Sequence, residues 1–157
     1  MSSKTRVRKH GRTAMSPLLR SLTMSRTAHA PVTQTMLLQA YAALDAFRRG
    51  HGARNLHTML SRHLLVSQEL ARVGLGADTR EDIESAHAAM VRLDLRERET
   101  GHWSLEDDDY ASLCAALAIF DGQLSAASLS ELASAEAKMI EGLMRSAHLR
   151  ALADAPV

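Results

Sequence analysis

The feature of this sequence that most restricts its fold is an apolar run from Tyr110 to Phe120. Ten of its eleven residues are apolar, with Ser112 as the exception. The larger side chains recur at the i, i+3, i+4 and i+7 spacing that places them on one face of an α-helix, and alanines make most of the remaining circumference apolar. Aspartates flank the run, which is far shorter than the roughly 18 residues that cross a membrane. The run therefore predicts a central core helix in a protein that does not span a membrane.

The composition of the rest of the chain also favours helix. The 157 residues include only three prolines and eight glycines, and aromatic residues make up 3% of them. A chain of this length fits one domain. Its single cysteine, Cys114, cannot form an internal disulfide, which makes a reduced, cytoplasmic setting the default expectation. We predict an all-α fold, an antiparallel bundle of about five helices behind a disordered basic N-terminal arm.

Capping and stop signals place the ends of the predicted helices. Ser104-x-x-Asp107 and Ser128-x-x-Glu131 are capping boxes, and residues 78–82 contain two overlapping ones. Gly122 predicts that the central helix frays or bends after Asp121. Four other helices are predicted: Thr33 to Arg49, Ala53 to Val73, one from residues 78–82 to about Glu99, and Ser128 to about Leu149. The second of these ends in a glycine cap at Gly74-Leu75-Gly76.

Helical spacing also assigns the inward faces of these helices. In the first predicted helix the inward residues are Leu37, Tyr41, Leu44 and Phe47, and in the last they are Leu129, Leu132, Met139, Ile140, Leu143 and Met144. The predicted domains are a largely disordered arm over residues 1–30, containing a short helix near 17–24, and a helical bundle over residues 31–152.

Charge is distributed unevenly along the chain. Residues 1–44 carry seven Lys or Arg and no acidic residue, whereas residues 45–157 carry twelve Lys or Arg and all eighteen acidic residues. Three interpretations of the basic arm remain open: contact with nucleic-acid phosphates, an organellar transit peptide, or a solvated tail. The predicted nucleic-acid contacts are Lys4, Arg6, Arg8, Lys9, Arg12, Arg20 and Arg26 in the arm, and Arg48, Arg49 and Arg54 around the first interhelical turn.

The segment Lys4-Thr-Arg-Val-Arg-Lys-His-Gly-Arg12, followed by Ser16-Pro-Leu-Leu-Arg20, resembles the start of short helical proteins from proteobacterial chromosomes and mobile elements. These are often labelled Fis-family transcriptional regulators. The resemblance implies a DNA-binding regulatory role. Fis itself ends in a helix-turn-helix with a basic final helix, whereas the last helix here has three basic and three acidic residues. No functional residue is therefore carried over.

No catalytic or cofactor motif stands out. His57 and His63 are six residues apart, about 120° around a helix, and no paired-cysteine or His-Glu-x-x-His arrangement is present. The acidic residues 106–109 match the positive end of a helix dipole better than a cation site, and Cys114 is expected to be buried and inert. Trp103 is expected to fold over the end of the bundle. We therefore predict a protein that is not an enzyme and has no metal or cofactor.

Two functions follow from the sequence as hypotheses. The first is a small regulatory or accessory protein that binds nucleic acid through the basic arm. The alternative is a helical protein–protein interaction module, either an adaptor or a homodimer, without catalytic activity.

Overall fold

Residues 26–153 fold into an all-α bundle of five helices. A computed structural model describes residues 26–153, and the side chains of residues 30–148. The helices are α1 (Arg26–Arg48), α2 (Arg54–Arg72), α3 (Arg80–Thr100), α4 (Asp107–Ala126) and α5 (Leu129–Ala153), with a 3-10 turn at Ala77–Thr79. Residues 26–153 contain no strand. Residues 1–25 of the predicted disordered arm, with the short helix near 17–24, lie outside the described residues, whereas residues 26–30 of that arm belong to α1.

Helix α1 begins at Arg26, seven residues before the predicted start. Pro31 lies inside the helix. Proline has no backbone N–H to donate, but its fixed φ suits helical geometry. The Thr35 hydroxyl donates to the Pro31 carbonyl at 2.8 Å. The predicted boundary between residues 30 and 31 therefore falls within a continuous helix, because one proline near the helix start removes only one backbone hydrogen bond.

Glycines end two of the helices, and the first of them is the cap predicted after α2. The Leu75 N–H donates to the Leu70 carbonyl and the Gly74 N–H to the Ala71 carbonyl, both at 3.1 Å, which is the Schellman pattern of a glycine-capped helix end. Gly74 has a φ of 100°, a value that glycine adopts without steric cost. Gly101, with a φ of 75°, ends α3 in the same left-handed conformation.

Only one of the predicted capping boxes forms. The Glu131 carboxylate accepts from the Ser128 N–H at 2.7 Å, and the Ser128 hydroxyl accepts from the Glu131 N–H at 3.2 Å. The box predicted at Ser104 is wrong, since the N-cap of α4 is the extended Glu106, two residues after the expected cap. The boxes predicted at residues 78–82 are also wrong. There the Thr79 hydroxyl donates to the Gly76 carbonyl, at 2.6 Å, and so closes the preceding turn.

The centre of the bundle is α2, which contacts each of the other four helices. Helix α4, predicted to be central, buries one broad face through Leu113, Leu117, Phe120 and Leu124. Its alanines at 111, 115 and 118 are exposed. An apolar run rich in alanine can thus lie on a bundle surface, because a methyl group adds little apolar area that must be removed from water.

Helix α4 does not fray at Gly122, contrary to one of the two predicted outcomes. It continues to Ala126, because the next two residues are anchored in the interior. Gln123 accepts a hydrogen bond from the Ser67 hydroxyl at 2.6 Å and donates to the carbonyls of Ser67, at 3.1 Å, and Leu75, at 2.9 Å. This buried polar cluster joins α4 to α2 and to the loop that follows α2.

Several residues predicted to face inward lie on the surface. In α1 the buried stripe runs through Met36, Ala40, Leu44 and Phe47, so that Tyr41 lies beside it and is exposed. In α5 the last buried residue is Met139, and residues 140–148 are all exposed. The inward assignments of Ile140, Leu143 and Met144 are therefore wrong, because all three side chains are exposed, although Leu143 borders a groove that α5 shares with α2.

Candidate functional site

The three arginines predicted to form a structured basic surface are each bound to carboxylates. Arg48 pairs with Asp107, and Arg49 pairs with Asp45 at 2.9 Å. Arg54 pairs with Asp94 and, at 2.8 Å, with Glu97. The hydrogen bond from Arg54 is the main cause of a lowered pKa for the Asp94 carboxyl. These pairs cancel the positive charge that a nucleic-acid surface at this turn requires. 

The side chains of the remaining predicted contacts lie outside those that the structure describes. Arg26 is the first residue of α1, and its side chain lies outside the described set. The other six, Lys4, Arg6, Arg8, Lys9, Arg12 and Arg20, lie outside the described residues.

Aromatic packing also fixes the first interhelical turn. Trp103 is buried and its ring lies 5.8 Å from Phe47 and 5.2 Å from His57, so it closes the end of the bundle as predicted. The Arg54 guanidinium lies 4.7 Å from the centre of the Trp103 ring. Gly52 lies so close to Phe47 and Trp103 that a side chain at this position would clash with both. Arg54 therefore has a structural role at the closed end of the bundle.

The acidic start of α4 is also occupied by structural contacts. Asp109 is buried, and its carboxylate accepts from Arg92 at 2.7 Å and from Arg96 at 3.5 Å. Arg96 also pairs with Glu106 at 2.8 Å. Two arginines of α3 thus hold the N-terminal turn of α4, in agreement with a role in capping and packing.

An exposed apolar stripe lies on the C-terminal half of α5. Ile140 is 45% exposed, Leu143 46% and Met144 68%. Helical spacing adds the exposed alanines at 133 and 137 to the same stripe, which covers about 120° of the helix circumference. A stripe of this width normally faces a packing partner, so α5 has the sequence of a two-sided helix with only one side covered.

A second surface feature is a groove of about 470 Å³ between α1, α2 and α5, which we call the His63 groove. His63 is 8% exposed and its ring stacks on Phe120 at 5.8 Å. Its Nδ1 atom is buried without a hydrogen-bond partner among the described residues. Burial, together with the neighbouring Arg62 charge, lowers the pKa of His63, so the ring is neutral near pH 7.

Two charged residues of the His63 groove were not recognised from the sequence. Arg62 on α2 and Glu136 on α5 both line it. Among the described residues neither has an ion pair within 4.0 Å. Seven of the ten described arginine side chains are ion-paired, and Arg62 is one of three exposed ones that are not.

Comparison with known proteins assigns no family. No family model, curated protein or solved structure matches the chain. Within the described residues, no group of three or more histidine, cysteine, aspartate or glutamate side chains is arranged to hold a metal ion. Over the same residues, none of the helices has the length and hydropathy needed to cross a bilayer.

Proposed function

We propose that this chain is a helical protein–protein interaction module, and that its partner is a second copy of itself paired through α5. The observation that carries the proposal is the exposed apolar stripe formed by Ile140, Leu143 and Met144 beyond the last buried residue of the helix. In a symmetric dimer the same stripe on each copy covers the other.

The length of α5 beyond its last buried residue supports a packing partner. Residues 140–153 continue α5 for about 21 Å beyond Met139, at about 1.5 Å per residue. A helix of this length is marginal in water without tertiary contacts. Gly142 weakens it further by about 1 kcal/mol relative to alanine. Packing against another helix supplies the missing stabilisation.

Charge favours a second copy over an acidic or basic partner. Helix α5 carries three acidic and three basic residues and is formally neutral. The acidic excess of residues 45–157 therefore lies outside α5, and a second copy meets the least repulsion on this helix. Glu141 and Arg145 lie on the polar side next to the stripe. Opposite charges on one helix can pair reciprocally with those of a symmetry-related copy.

Sedimentation equilibrium over a range of protein concentrations tests the proposal. The wild-type chain is expected to approach twice its mass of 17.1 kDa, and the double variant Ile140→Glu/Met144→Glu is expected to remain monomeric. Leu38→Glu is the matched control, because Leu38 is 72% exposed on α1, away from the stripe. A wild-type chain that stays monomeric at all concentrations would contradict the proposal, as would a double variant that dimerises as the control does.

Nucleic-acid binding through the basic arm is a second proposal, supported by the +7 charge of residues 1–44 against −6 for the rest. Because Arg48 and Arg49 are ion-paired, the arm must supply the phosphate contacts. A dimer would present two arms to one duplex and strengthen binding by avidity. This proposal retains the regulatory or accessory role expected from the sequence.

Fluorescence anisotropy with labelled DNA at several salt concentrations tests this second proposal. Deletion of residues 1–15 is expected to weaken binding strongly and to reduce its salt dependence. The control Arg48→Ala/Arg49→Ala is expected to bind as the wild type does. Equal binding by the full-length and arm-deleted chains, or no binding by either, would rule out the arm as a nucleic-acid contact.

A further inference from the structure

We infer that the His63 groove binds a small zwitterion, an α-amino acid with an apolar side chain. The inference is independent of dimerisation through α5. The groove volume of about 470 Å³ is within the range of small-molecule sites. Its wall residues combine unpaired charges of both signs with a buried apolar surface.

The two charges determine the chemical class of the ligand. Arg62 and Glu136 line the same groove from different helices, and their charged atoms are more than 4.0 Å apart. A simple anion would be attracted by Arg62 and repelled by Glu136, and a simple cation would meet the reverse. A zwitterion satisfies both, since its carboxylate can accept from the guanidinium while its ammonium donates to the carboxylate.

The neutral polar groups of the groove fit the same ligand. Gln39 and Asn55 line it, and among the described residues their side-chain amides have no hydrogen-bond partner. The neutral His63 ring adds polarity without a second positive charge. These groups provide additional hydrogen bonds for a carboxylate or ammonium group.

The apolar part of the groove accounts for the side chain of the ligand. Met36 and Met139 are buried at 8% and 5% exposure, and the partly buried Met59 lines the groove with them. Methionine side chains are unbranched and polarisable, and they adapt to apolar groups of different shapes. The groove therefore favours leucine, methionine or phenylalanine over a charged amino acid.

NMR of the full chain labelled with methyl-13C methionine tests the inference. Titration with free L-leucine and L-phenylalanine is expected to shift the methyl signals of Met36, Met59 and Met139 in a saturable way. N-acetyl-L-leucine and L-leucine amide each lack one of the two charges, and their affinity is expected to be lower by at least about tenfold.

Matched variants test the assigned partners. Arg62→Gln and Glu136→Gln are each expected to lower the affinity for L-leucine at least about tenfold, because each removes a charge-assisted hydrogen bond. Arg80→Gln and Glu99→Gln change exposed charges elsewhere and are expected to bind as the wild type does. The inference is overturned if the free amino acids cause no shift up to their solubility limit, if the blocked forms bind equally well, or if the groove variants bind like the controls.

Discussion

Replacement of Gln123 by leucine is the most direct test of the polar cluster that joins α4 to α2. Leucine is similar in size but can form none of the three hydrogen bonds of the glutamine side chain. The Ser67 hydroxyl, which is fully buried, loses its acceptor, and the Leu75 carbonyl in the loop after α2 loses a donor. The Ser67 carbonyl is affected least, because it lies within a regular helix.

The expected loss follows from these unpaired groups. A buried polar group left without a partner costs about 1–3 kcal/mol, and the leucine side chain recovers part of that by burying apolar area. Ser67 can also limit its own loss by donating to a carbonyl in the preceding turn of α2. We therefore expect Gln123→Leu to lower the free energy of unfolding by about 2–3 kcal/mol.

A double-mutant cycle in urea, followed by circular dichroism, separates the hydrogen bonds from packing. Ser67→Ala removes the hydroxyl that Gln123→Leu leaves unpaired. The double variant should then be more stable than the sum of the single losses by about 1 kcal/mol. A loss below about 0.5 kcal/mol in Gln123→Leu, or strict additivity in the cycle, would refute the assignment of this cluster as a stabilising contact.

Three further predictions concern the core and its charges. Leu117→Ala should cost about 2–5 kcal/mol in urea unfolding because Leu117 is fully buried, and a loss below about 1 kcal/mol would show that α4 is not part of the core. Asp109→Asn should cost about 1–3 kcal/mol because it removes the buried carboxylate that accepts from Arg92 and Arg96, and an unchanged melting curve would contradict this. Burial lowers the pKa of His63 and His87 below the ordinary 6.5. The unfolded chain therefore binds more protons than the folded chain at acidic pH. The free energy of unfolding should be highest above pH 6.5 and should fall as the pH drops through that value towards the folded pKa. Urea unfolding at about pH 7.5 and about pH 5.5 measures this slope, which His63→Gln/His87→Gln should flatten.

The local periodicity of the sequence was sufficient to predict the fold class. Apolar spacing and stop signals placed α2, α3 and α4 close to their observed ranges, because both act within one or two turns of helix. The glycine cap after α2 and the box at Ser128 were predicted for the same reason. Both depend on hydrogen bonds between residues less than six positions apart.

Predictions that depended on neighbouring helices were less accurate. The apolar run of α4 indicated a central helix, but α2 occupies the centre and α4 exposes three alanines to solvent. The choice between them depends on how five helices pack, and the pattern of one helix does not contain that information. Ile140 and Met144 were assigned to the core for the same reason, since an apolar stripe has the same pattern whether it meets its own bundle or another chain.

The candidate sites were decided almost entirely by tertiary structure. The sequence identified Arg48, Arg49 and Arg54 as basic residues around one turn. Their carboxylate partners include residues 40 to 59 positions away, which no local pattern connects to them. Arg62 and Glu136 appeared unremarkable in the sequence and acquire significance only because α2 and α5 bring them to one groove. Local hydrogen bonding and periodicity thus determined the helices, whereas long-range packing determined which charges are cancelled and which remain available for binding.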